Sequence, residues 1–184
     1  MKLSQLAITT VLATSVISFN SIADNTGVIN FTGSVVNTPC NIEQTSLKQT
    51  VDFGQLSRKV LESDKSAEAV FDITFTGCDL ANFGQNEQTG KPESLSAMEL
   101  VFTGQNYADA TNTLLSTSTG NTNNLGVAIE GFEFGKATDV LPRIVNQKGN
   151  NTLSFKAIAK RVDASKNVEE GQFSAISNFR ITYK

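Results

Sequence analysis

Apolar and polar positions alternate in short runs along most of this chain. The alternation predicts strands over residues 28–36, 49–53, 69–77, 97–103, 125–131, 152–161 and 172–183. In Phe71-Asp72-Ile73-Thr74-Phe75 the apolar face is unambiguous, and Leu153, Phe155, Ala157 and Ala159 repeat it. Only residues 57–68 have a composition suited to a helical turn or two. Two polar stretches, 79–96 and 104–124, read as long surface loops. Nothing repeats internally and no linker divides the chain, so the pattern predicts an all-β sandwich in one domain. The last run is the most informative. After Gly171, Phe173, Ala175, Ser177, Phe179, Ile181 and Tyr183 occupy every second position. A chain that ends on a core strand leaves that strand's outer side as a sheet edge unless something covers it.

The first run of apolar residues belongs to no fold. Lys2 gives a short positive region, 6–19 is apolar, and Ser21 and Ala23 are the small residues a signal peptidase requires. Residues 1–23 are thus expected to be a signal peptide cleaved before Asp24. The stretch is too short and too polar for a membrane span. The remainder is long enough for one domain with its own core.

Composition removes several function classes. The formal net charge is −3, and losing Lys2 makes it one unit more negative, with the charges scattered. No basic patch is offered to nucleic acid. The chain has no histidine, so neither Ser-His-Asp nor Cys-His catalysis can be assembled. Glu169 and Glu170 read as a solvated turn, and no phosphate loop or calcium loop is present. No enzyme, no metal and no cofactor is expected. Cys40 and Cys78 form an even pair in a secreted chain and point to a disulfide. Closing that loop stabilises by roughly 4 kcal/mol in the chain-entropy picture. Metal-binding thiolates are the weaker alternative, because CxxC spacing and histidine are both missing.

At the mature N-terminus, Gly27, Ile29 and Phe31 share one face of an extended segment, with Val28, Asn30 and Thr32 on the other. Such a segment has strand propensity and should seek a sheet edge. Its later half is expected to enter the first strand of the sandwich.

Taken in order, the G-V-I-N-F-T-G-S-V-V-N-T-P-C segment ending at Cys40, its partner Cys78, Asn124-Leu125-Gly126-Val127-Ala128-Ile129, Phe155-Lys156-Ala157 and the tail from Gly171 to Tyr183 resemble the type-1-like fimbrial subunits of chaperone–usher pili. The resemblance covers the whole mature chain, and the tail glycine and penultimate tyrosine are its most specific part. It implies an immunoglobulin-like sandwich lacking its C-terminal, seventh strand, completed by a donor strand from a chaperone or a neighbouring subunit. It implies three segments: signal peptide 1–23, extension 24–36 and pilin domain 37–184. Gly27, Ile29 and Phe31 would be the donor-strand residues. Gly171, Phe173, Phe179, Ile181, Tyr183 and Lys184 would build the acceptor groove and the chaperone-binding strand, with the Lys184 carboxylate as an anchor. Partners would be other subunits joined head to tail, a periplasmic chaperone and an outer-membrane usher. The product would be an adhesive fibre on the cell surface. The alternative is a small glycan-binding module that uses the 104–124 loop and Tyr107. Two positions depart from the family pattern. Asn25 stands where the leading inserted residue is commonly apolar, and Ile158-Ala159 stands where relatives often carry Arg-Tyr.

Overall fold

The computed structural model describes residues 27–117 and 122–184. The expected signal peptide, and Asn25 with it, lie outside the described residues. The chain divides into two units, one ending at Val35 and one running from Val36 to Lys184.

The larger unit is built from two antiparallel sheets. One has five strands in the order β1-β2-β9-β7-β6: β1 Asn41–Ile42, β2 Ala67–Asp79, β6 Leu115–Ser116, β7 Leu125–Ile129 and β9 Lys148–Arg161. The other has three, in the order β10-β5-β8: β5 Met98–Gly104, β8 Thr138–Asp139 and β10 Ser177–Tyr183. A small hairpin, β3 Gly84–Gln85 with β4 Pro92–Glu93, stands apart. Among the described residues, two short helices, α1 Gln44–Leu47 and α2 Arg58–Glu62, and a 3-10 turn at Leu141–Arg143 complete the elements.

The core follows from the alternation. On β2 and β9 the apolar set faces inward, with Ile73, Phe75 and Ala159 fully buried and Phe155 nearly so. From the opposite sheet Phe102 of β5 meets Phe155 edge-on at 5.6 Å between ring centres and Phe71 at 6.1 Å. Phe132 closes against Phe102 at 5.0 Å. Edge-to-face rings favour this arrangement beyond the area they bury. Cys40, just ahead of β1, is bonded to Cys78 near the end of β2, and both are buried. The thiolate alternative is thereby removed.

Four of the seven expected strands match β2, β5, β7 and β9 to within a few residues, and the helical turn expected in 57–68 is α2. Three differ. Residues 28–36 belong to no strand, and the first strand begins only at Asn41. Residues 49–53 also belong to no strand, although Val51 and Phe53 are half-buried against the core. The final strand starts at Ser177 rather than at 172. Alternation records which side of a segment is apolar, whereas a strand also needs a neighbour to accept its hydrogen bonds. The two-residue strands β1, β3, β4, β6 and β8 are too short to carry any period.

Candidate functional site

Among the described residues β10 is paired along one flank only. It runs antiparallel to β5 from Ser177 opposite Gly104 to Tyr183 opposite Met98, and no other described strand neighbours it in the sheet. Phe179, Ile181 and Tyr183 point to the core but stay half-buried, while Asn178, Arg180 and Thr182 are exposed. Just beyond β10, Lys184 is tied to the start of β5. Its N–H donates to Ala97 at 2.9 Å, its carbonyl accepts from Ser96 at 2.7 Å and Ala97 at 3.1 Å, and its ammonium meets Glu99 at 2.6 Å.

Upstream of β10 the chain changes sheets. Ser174 donates its N–H to Thr117, beyond β6, instead of continuing along β5. Close by, Gly104 at the end of β5 lets Leu115 of β6 pack against its backbone: a Cβ there would lie 2.1 Å from Leu115 Cδ2. Gly171 opens the segment with φ of +142°, a backbone region L side chains avoid. That gives a physical reason for the tail glycine.

Beside this segment lies a cleft of about 1220 Å³. Residues 49–56 form one wall and 171–177 with Phe179 form the other. The floor is apolar: Phe71, Phe102, Leu125, Val127, Ile129 and Ala157. Among the described residues no backbone hydrogen bond joins the two walls. Side chains alone span the gap, where the rings of Phe53 and Phe173 stand 6.0 Å apart. The arrangement is a sandwich with the space for one strand left open between its sheets.

Of the expected groove residues, Gly171, Phe173 and Phe179 line this cleft. Ile181, Tyr183 and Lys184 lie further along β10 and do not line it. Tyr183 packs against Phe83 with ring centres 6.0 Å apart, and burial pushes its phenol up to about 12. The first wall carries a signal of its own, because Val51-Asp52-Phe53 alternates. The alternation located the wall but not its unpaired state.

In the smaller unit, residues 27–35 contain no helix or strand. Ile29 is 78% and Phe31 89% exposed, and Val28 on the other face is exposed as well. Three large apolar side chains are thus presented to solvent within four residues.

The described residues of the 104–124 stretch are engaged in packing and hydrogen bonds, Tyr107 and Asp109 among them. Tyr107 lies beside Phe134 at 6.0 Å, and its hydroxyl accepts the Gly104 N–H. Asp109 accepts from Thr111, Thr113 and the Leu114 N–H. Burial pushes the Asp109 carboxyl up, but those hydrogen bonds outweigh it and leave it below the ordinary carboxylate value. Asn124, with φ of +54°, is buried and donates to the carbonyls of Asp163 and Lys166 while accepting the Asp163 N–H. Glu170 is exposed as expected, but Glu169 and Glu170 lie in extended chain beside the cleft and not in a turn, and Glu170 pairs with Arg58.

Residues 29–184 match the family described as "Fimbrial protein". KS71A fimbrillin of Escherichia coli is 34% identical, with 94% of this chain and 95% of that protein covered. Fimbria A protein of Serratia marcescens is also 34% identical over the full length of both. The Pap fimbrial major pilin protein of Escherichia coli is 31% identical with 94% of this chain and 95% of that protein covered. Among solved structures, a chaperone–usher pilus studied for rod uncoiling is similar with a TM-score of 0.66 and 28% identity, covering 89% of this chain and 99% of that one. The P pilus rod subunit PapA is similar with a TM-score of 0.61 and 28% identity, covering 80% of this chain and all of that one.

Proposed function

Because this chain belongs to the fimbrial protein family, it is a structural subunit of a surface fimbria, and we propose that its cleft and its N-terminal segment are two halves of one joint. The domain is an immunoglobulin-like sandwich lacking its last strand. A periplasmic chaperone fills the cleft during export. At the outer-membrane usher the extension of the next subunit replaces it. Residues 24–36 serve as that extension once a signal peptide, 1–23, is removed, and 37–184 receive it.

The observation that carries this reading is the cleft itself: an apolar floor between two walls that share no backbone hydrogen bond, beside the open flank of β10. An inserted strand would gain backbone hydrogen bonds along an edge and bury alternate side chains on the floor, the combination that gives strand addition both affinity and register. Ile29 and Phe31 would supply the apolar side chains, and Gly27, on the same face of the extended segment, would add none. Phe173 and Phe179 flank the inserted strand. Ile181, Tyr183 and Lys184 continue the flank toward the chaperone. Because donor and acceptor are different surfaces of one chain, the contact does not close on itself and propagates as a filament.

The test is polymerisation of the processed subunit after release from its chaperone. Wild type is expected to form a ladder of head-to-tail species on non-denaturing electrophoresis. Ile29→Asp with Phe31→Asp should accept a wild-type extension yet donate to nothing, ending every ladder at itself. A doubly substituted chain that polymerises like wild type would remove these residues from the joint.

A further inference from the structure

The cleft is fastened at one end. Arg58 of α2, just past the first wall, reaches Glu170, just ahead of the second, with Nη1 to Oε1 at 3.4 Å. The same guanidinium holds Glu62 of α2, with Nε to Oε1 at 3.5 Å. Glu62 Oε1 in turn accepts the N–H of Val168 at 3.1 Å. The turn of α2 and residues 168–170 are thus joined twice by polar contacts. Beneath these contacts Leu61, Leu125 and Val168 form a small buried cluster of their own, with Leu56 and Phe173 against it. Phe173 also touches Phe53 across the cleft. Among the described residues no other ion pair and no backbone hydrogen bond links the two walls.

We propose that Arg58 and Glu170 form a releasable ionic clasp across the α2 end of the cleft, which slows the seating of an incoming strand. The inference rests on the strand-uptake reading above. Both side chains line the cleft and both are substantially exposed. An exposed pair is weak and screened by salt, so it can hold the walls together without locking them. A strand that is to run the full length of the floor must part Phe53 from Phe173. Releasing Arg58 from Glu170 removes one of the two polar contacts that hold the segment leading to Phe173 against α2.

The test uses the subunit bound to its periplasmic chaperone, with a synthetic peptide of residues 24–36 as probe. A second peptide carries Asn25→Ile, so that a weak leading residue does not mask uptake. The rate of peptide capture is followed at low and high salt for wild type, Arg58→Gln, Glu170→Gln, the double variant and the charge swap Arg58→Glu with Glu170→Arg. At low salt each single variant is expected to take up peptide about two- to fivefold faster. The double variant should be no faster than either single, and the swap should return to the wild-type rate. High salt should bring wild type up to the variants.

Equal rates for all five chains, or single effects that multiply in the double, would overturn the clasp while leaving strand uptake standing. A swap that stays fast would overturn it too, because the charges would then act on the peptide and not on each other. Failure of every chain, wild type included, to capture either peptide would overturn strand uptake itself and the clasp with it.

Discussion

β9 has a hydrogen-bonded strand along each flank, β2 on one side and β7 on the other. β10 has only β5. Both strands carry the same alternation of apolar and polar residues, yet their apolar faces end differently. On β9, Leu153, Phe155, Ala157 and Ala159 are 5% exposed or less. On β10, Phe179, Ile181 and Tyr183 remain half-buried with the same kind of side chain and the same period. The missing quantity is a neighbour. A core strand that cannot finish burying its face identifies the place where another strand belongs.

The sharpest way to break this comparison is to truncate one ring on each strand. Phe155→Ala should cost about 3–5 kcal/mol in urea unfolding of the disulfide-bonded subunit, as a fully enclosed ring does. Phe179→Ala should cost about half as much, near 1–2 kcal/mol, because its ring is already partly in water. With a donor strand in the cleft the two costs should approach each other. Equal costs without one would mean that β10 is no more open than β9.

The closed side can be loosened next. Cys40→Ser with Cys78→Ser should remove roughly 4 kcal/mol, the loop-closure contribution of the bond that ties the start of β1 to the end of β2. Its loss should lower the melting temperature of the free and the strand-filled subunit alike. Asn124→Ala should cost about 1–3 kcal/mol by leaving the carbonyls of Asp163 and Lys166 unmatched. Proteolysis in the 163–168 loop should rise with it, while β10 stays as it was.

The smallest effect is one of pH. Burial raises the Tyr183 phenol from 10.0 to about 12. The folded state therefore favours the neutral ring. The stability this carries is whole below pH 10 and is lost as pH climbs from 10 through about 12. Melting curves across that interval should fall less steeply for Tyr183→Phe than for wild type.

Much of this was legible in the residues alone. The long strands β2, β5, β7 and β9 announce themselves by period, and the cysteines by number and setting. The tail showed its apolar face at once, and its glycine marked the backbone turn that φ at Gly171 later explained. Less legible was anything that depends on who the neighbour is. Residues 28–36 alternate as well as β5 does, yet belong to no strand. Val51 and Phe53 alternate and instead form the unpaired wall of a cleft. The crossing of the tail from β5 toward Thr117 is made by a backbone hydrogen bond from Ser174 to a residue far from it in sequence. Arg58 and Glu170 carry no motif, and only the fold brings them together.

The most direct test of the incomplete sandwich compares thermal unfolding of two disulfide-bonded proteins. One is Asp24–Lys184; the other carries a second copy of residues 24–36 on a short flexible linker after Lys184. A large rise in melting temperature with the added strand is the expected result. The rise should vanish when Ile29 and Phe31 of the added copy are replaced by Asp. Equal melting temperatures, for this extension and for those of neighbouring subunits attached in the same way, would contradict the account.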